Sequence, residues 1–226
     1  MNQFWSEDNE EQEEYKVPEN VLDFVFQIKS KCIPLDHAFQ LSDAIQQALP
    51  WLTSTDNIGI HPISGAESGN GWERPDTEVL FLSRRQKLTL RLPKSRSEEI
   101  KQLIGKTLEL EGYPLTIGDF ITRQMSDLPT VFARNVATDI NQDENEFLMQ
   151  CKDTLEEMGI KSRKMMCGLK GRIELPGQTI YTRSLMLADL EKEESVKIQE
   201  TGLGPMREYG CGLFMPQKGI KAVKPD

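Results

Sequence analysis

Hydrophobic and polar positions recur with a period of two in some stretches and near 3.6 in others, and the switches between them divide the chain into elements. Residues 21–28 (VLDFVFQI) alternate and are rich in β-formers, which predicts a strand. Asp36 is placed to cap a helix, and Phe39, Leu41, Ala44, Ile45, Ala48 and Leu49 then recur at helical spacing to about Trp51. Residues 58–63 predict a short strand and residues 64–71 a loop. Residues 79–83 and 88–92 read as one strand interrupted at Arg84 and Arg85. Ser97 caps a short helix to Leu103, and residues 107–117 form a hairpin or an edge strand.

The second half repeats this order. A strand is predicted at 130–138 (TVFARNVAT) and an amphipathic helix at 143–158. Strands at 163–175 and 179–190 flank a turn at Pro176-Gly177, a short helix covers 191–200, and a last strand covers 209–215. Strand–helix–strand–strand–helix–strand, twice, predicts an α+β chain of tandem ferredoxin-like (βαββαβ) domains. The expected domains are 18–126 and 127–226. Ahead of them, residues 1–17 hold Glu7, Asp8, Glu10, Glu11, Glu13 and Glu14 against Lys16 alone, which reads as a disordered, solvated tail.

Composition narrows the function. In 226 residues no apolar run approaches the length of a membrane span, so no membrane partner is expected. The first residues have neither a basic start nor an apolar stretch, so a cytoplasmic protein is expected. Four scattered cysteines and two histidines leave little for a zinc site; no metal and no cofactor are expected. A net charge of −9 argues against nucleic acid, but its distribution does not. Residues 83–106 carry Arg84, Arg85, Lys87, Arg91, Lys94, Arg96, Lys101 and Lys106 against Glu98 and Glu99. Residues 161–183 carry Lys161, Arg163, Lys164, Lys170, Arg172 and Arg183 against Glu174. Local patches decide whether phosphates dock.

Several residues invite chemistry. Gly202, Gly204, Gly210 and Gly212 surround Arg207. Such a run either aims backbone N–H groups and an arginine fork at an anion or makes a tight turn into a kinked strand. His37 falls in the first turn of the first helix, where the helix N-terminus favours a neutral imidazole. It is either a general base or a capping histidine. His61 alternates with Ile58 and Ile60, which points its side chain off the core face. Ser83, Arg84 and Arg85 interrupt one apolar run, and Arg183 and Ser184 another. No nucleophile elbow, P-loop or paired-carboxylate metal site is present.

The 202–219 segment (GLGPMREYGCGLFMPQKG) occurs with DHAF at 36–39, LPWL at 49–52, GIHPISG at 59–65, LSRR at 82–85 and LTLRLP at 88–93. In this order they resemble the CRISPR repeat-RNA-processing endoribonucleases of the RAMP superfamily, MYXAN subtype, over residues 20–224. The resemblance implies binding of the CRISPR repeat hairpin and metal-independent cutting at its base by 2′-hydroxyl attack. It also implies retention on the mature crRNA beside other subunits of a CRISPR interference complex; an alternative is a hairpin-binding subunit that does not cut. The implied catalytic histidine is His37 or His61. The implied RNA-binding residues are Ser83, Arg84, Arg85, Arg183, Ser184, Gly202, Gly204, Arg207, Gly210, Gly212 and Lys218.

Overall fold

A computed structural model describes residues 15–65 and 76–217. The acidic segment 1–14, most of the loop after Ser64, and Lys218 lie outside the described residues. In chain order the elements are β1 Val21–Lys29, β2 Cys32–Pro34, α1 Ala38–Ala48, β3 Gly59–His61, β4 Val79–Phe81, β5 Lys87–Pro93, β6 Thr107–Leu110 and β7 Tyr113–Arg123. They continue as β8 Val131–Thr138, α2 Glu144–Glu157, β9 Lys164–Leu175, β10 Gln178–Ala188, α3 Lys192–Thr201 and β11 Met215–Pro216. Short 3₁₀ turns lie between them.

The described residues form an α+β fold, with three helices and antiparallel sheets. One sheet runs β3-β5-β1-β7-β6 and the other β11-β8-β10-β9; β2 and β4 form a separate ribbon. Each large sheet buries its own core. In the first, Phe24 and Phe26 of β1 pack with Leu41 and Ile45 of α1 and with Leu88 and Leu90 of β5. In the second, Val131 and Ala133 of β8 pack with Phe147, Cys151 and Leu155 of α2 and with Ile198 of α3. Fully burying a side chain of this kind stabilises by about 1.5–3 kcal/mol, so period-two and period-3.6 patterns that agree on one face specify the layers.

Local chemistry accounts for the element ends. Helix α2 opens on a capping box: Asp143 accepts the Glu146 N–H at 2.9 Å and Glu146 accepts the Asp143 N–H at 2.9 Å. Helix α1 stops at Ala48, and Pro50 starts a 3₁₀ turn, Pro50–Ser54. Gly177 (φ 80°) closes the β9–β10 hairpin.

Four expectations need correction. The N-cap of α1 is His37, one residue after Asp36, and no side chain among the described residues caps it. The interrupted strand is two strands in different sheets: β4 pairs with β2, and β5 with β1 and β3. The break is a turn in which Gln86 accepts the Ser83 N–H at 2.7 Å and bonds its hydroxyl at 2.5 Å. Ser97 caps nothing forward; its hydroxyl donates back to the Lys94 carbonyl at 2.5 Å, and the turn Glu99–Leu103 starts after Glu98. The last strand is only Met215–Pro216, because Arg207–Tyr209 is a 3₁₀ turn and Gly210 and Gly212 take positive φ.

Candidate nucleic-acid interface

A cleft of about 790 Å³ opens between the start of α1 and the second sheet. One wall is Leu35, Asp36, His37 and Ala38 with Pro62–Ser64 from the chain after β3. The other is Arg134 and Asn135 of β8, residues 169–174 of β9, and Tyr181 of β10. Strand β9 is a sheet edge, and most of its side chains from Lys164 to Arg172 are exposed. Arg172 Nε lies 2.9 Å from Glu174 Oε1 on that edge.

His37 is 4% exposed, and its neighbours fix its tautomer. A carbonyl only accepts, so Nδ1–H donates to Pro34 O at 3.0 Å; an amide only donates, so Nε2 accepts the Ile63 N–H at 3.0 Å. Burial holds its pKa below the usual imidazole value, against the pull of the two carbonyls at Pro34 and Leu35. His37 is therefore neutral at pH 7, with its lone pair on Nε2. To take a proton from a ligand, Nε2 must exchange the Ile63 N–H for that ligand.

His61 is elsewhere and does not line the cleft. Alternation does turn it off the first core, but the second half covers that face, so it is 8% exposed. It lies 4.0 Å from Asp23, and its Nε2 has no hydrogen-bond partner among the described residues. Burial, then the charge of Arg91, pushes its pKa down to about 4.

Arg91 and Arg207 occupy the same seam. Arg91 is fully buried and grips both Asp23 oxygens at 2.7 and 2.9 Å. Its Nη1 donates to Gln199 O at 2.7 Å and Phe214 O at 2.8 Å, in the second half. Burial pushes the Asp23 carboxyl up, but the hydrogen bonds and charge of Arg91 outweigh it and hold the carboxyl below its ordinary value. Arg207 reaches from the second half to the first. It donates to Ile58 O at 3.1 Å, Asn57 O at 3.4 Å, Glu200 O at 3.0 Å and Thr201 O. Burial, then Arg91, lowers its pKa to about 10. The expected phosphate fork is an internal strut.

The glycine run is part of that strut. Leu203 N–H donates to Gly212 O, Cys211 N–H to Met206 O and Gly212 N–H to Asn135 O. A Cβ on Gly212 would sit 2.1 Å from Leu203 O, and one on Gly210 2.4 Å from the Pro62 ring. Gly202 closes against Gly212 O, and Gly204 alone has open space before it. The run is a tight knot against β3, and those N–H groups serve carbonyls; they are not presented to an anion.

Ser83, Arg84 and Arg85 are exposed on the β4–β5 turn, outside the cleft lining. Arg183 and Ser184 are buried, at a β-bulge in β10. Of the cleft cations, Lys170 and Arg172 were visible in the second basic cluster, and Arg134 as a lone charge inside an apolar strand. Tyr181 carried no signal. Among the described residues, no three His, Cys, Asp or Glu side chains are grouped to hold a metal ion, and no helix is long and apolar enough to cross a membrane.

Comparison with known proteins gives the fold and the family. The fold is that of the RAMP proteins. One solved structure, an RAMP protein binding different RNA substrates, matches at TM-score 0.59 and 13% identity over 87% of this chain and 98% of its own. A CRISPR associated protein Cas6 matches at TM-score 0.58 and 9% identity, over 88% and 99%. Thermus thermophilus Cse3, bound to an RNA representing a pre-cleavage complex, matches at TM-score 0.50 and 13% identity, over 86% and 98%. The family model described as Cas6 Crispr matches residues 22–219. The CRISPR-associated endonuclease Cas6 of Myxococcus xanthus (strain DK1622) is 29% identical over 195 residues, 86% of this chain and 81% of the relative. The chain belongs to the Cas6 family of CRISPR-associated endoribonucleases.

Proposed function

We propose that this Cas6-family chain binds the repeat hairpin of CRISPR precursor RNA in the α1–β9 cleft and cuts at the hairpin base. Residues 18–126 and 127–226 act as two ferredoxin-like domains with the RNA between them. The repeated sheet order supports that division: read as strand four, one, three, two, it occurs once in each half, with β6 added beyond β7 in the first. The single observation that carries the reading is a neutral histidine, His37, facing Lys170, Arg172 and Arg134 across one cleft.

In this mechanism His37 Nε2 takes the proton of a 2′-hydroxyl, which displaces the Ile63 N–H. The 2′-oxygen then bonds to the adjacent phosphorus as the bond from phosphorus to the 5′-oxygen breaks. Tyr181, on the facing wall of the cleft, donates its proton to the departing 5′-oxygen. The products are a 2′,3′-cyclic phosphate and a 5′-hydroxyl, with no metal taking part. The chain then stays on the crRNA hairpin as a subunit of an interference complex. One observation favours a second reading, a hairpin-binding subunit that does not cut: both ring nitrogens of His37 are engaged.

The test is cleavage of end-labelled repeat RNA in EDTA. Wild type should cut, His37→Ala should lose about 10²–10⁴-fold in rate, and its hairpin affinity should stay within about threefold, a small fraction of the binding energy. His61→Gln should still cut. Binding without cutting by wild type would establish the second reading. Full activity in His37→Ala would remove His37 from the chemistry.

A further inference from the structure

Strands β9 and β10 set Lys170 directly opposite Arg183, on one face of the sheet. Like charges directly opposite one another are destabilising unless something lies between them. Arg183 sharpens the problem, because it is only 5% exposed and has no carboxylate within ion-pair distance among the described residues. Its Nη2 donates to Gln142 O at 3.0 Å, it meets the Cys167 sulfur, which Glu144 also meets, and its guanidinium lies 5.9 Å from the Phe147 ring centre. A guanidinium has five N–H donors, so most of its capacity is left over.

A small depression opens beside these two cations. It holds about 40 Å³ and is bordered by Thr138, Gln142, Lys170, Tyr181 and Arg183, with Asp139 as its one acid. Asp139 Oδ1 accepts the Asn141 N–H at 2.8 Å. One water needs about 10–15 Å³ on this measure, so the depression takes roughly three water-sized groups, enough for the two non-bridging oxygens of a phosphodiester. It shares Lys170, Gly171 and Tyr181 with the large cleft. A Cβ on Gly171 would meet Thr182 Oγ1 at 2.8 Å, on the face of the sheet opposite Lys170 and Arg183.

We propose that Lys170 and Arg183 form a second phosphate subsite, which holds a backbone phosphate of the RNA strand where it leaves the cleft over Gly171. The ligand is a phosphodiester: Arg183 supplies a planar fork and Lys170 a point charge. The subsite rests on the RNA-binding reading of the cleft. It accounts for a charged residue in the middle of β10 that is buried with no direct ion pair among the described residues, Glu144 reaching it only by way of the Cys167 sulfur.

The test is equilibrium binding of repeat RNA to the full chain across a range of KCl concentrations, for wild type, Lys170→Gln and Arg183→Lys. Lys170 is exposed, so its variant should melt like wild type; Arg183→Lys keeps the charge should Arg183→Gln fail to fold. Lys170→Gln should weaken binding about tenfold and lower the slope of log K against log salt by about 0.7. Arg183→Lys should weaken binding about fivefold at an unchanged slope, since charge remains and only the fork is lost. Repeat RNAs carrying one uncharged methylphosphonate, walked along the strand, locate the contact. At one position the modification should cost wild type about tenfold and cost both variants little more. Wild-type slope in Lys170→Gln, additive losses at every position, or different positions for the two variants would each overturn the subsite. Absence of RNA binding by wild type would instead bring down the cleft reading, and the subsite with it.

Discussion

The seam between the two sheets and the cleft beside it are both rich in cations, and they use them in opposite ways. In the seam, Arg91 and Arg207 are buried and donate to Asp23 and to backbone carbonyls from both halves. In the cleft, Lys170 and Arg172 sit exposed on an edge strand, opposite a buried neutral histidine. A guanidinium whose N–H groups serve carbonyls makes structure, whereas a cation at an open wall is available to a phosphate. Charge alone does not separate the two roles; the direction in which the donors point does.

The comparison breaks first at Arg91. Arg91→Ala leaves Asp23 buried without its partner, and urea unfolding should show a loss of about 3–5 kcal/mol. A loss below about 1 kcal/mol, as for a surface pair, would mean that the seam is not held in this way. His61 gives the next largest effect, through pH. Its folded pKa of about 4 lies below the unfolded value of 6.5, so its contribution is present above pH 6.5 and is lost as pH falls toward 4. Stability should drop by about 3 kcal/mol over that window, and His61→Gln should flatten the curve. Asp23, also depressed, loses its contribution only below the ordinary carboxylate range, so the two are separable.

Arg207→Ala should cost about 2–4 kcal/mol by orphaning buried carbonyls. Its dependence of RNA binding on salt should match wild type at temperatures where it is folded. A shallower salt slope would return Arg207 to the RNA. The smallest effect is expected in the cleft: Arg172→Gln removes one exposed cation that already has Glu174 beside it, and should weaken RNA binding about two- to fivefold, with a slope lower by less than about 0.7. Unchanged affinity would confine the RNA to the Lys170 side.

Much of this molecule follows from its sequence alone. Alternation in 21–28 and 130–138, the amphipathic spacing of 143–158 and the Pro176-Gly177 turn each act over short stretches of chain, so β1, β8, α2 and the β9–β10 hairpin were legible within one or two residues. The order of elements and the family motifs were legible for the same reason. Tertiary structure decided the rest. His61 points off its own core, as alternation requires, yet it is buried because a second layer covers that face. Arg207 among its glycines has the composition of an anion site, but the knot turns its donors onto carbonyls of residues about 150 positions away. Lys170 and Arg183 look like neighbours in one charged cluster, and only strand register sets them opposite each other. Local pattern determines which face a side chain takes, and what lies against that face is settled by contacts between segments far apart in the chain.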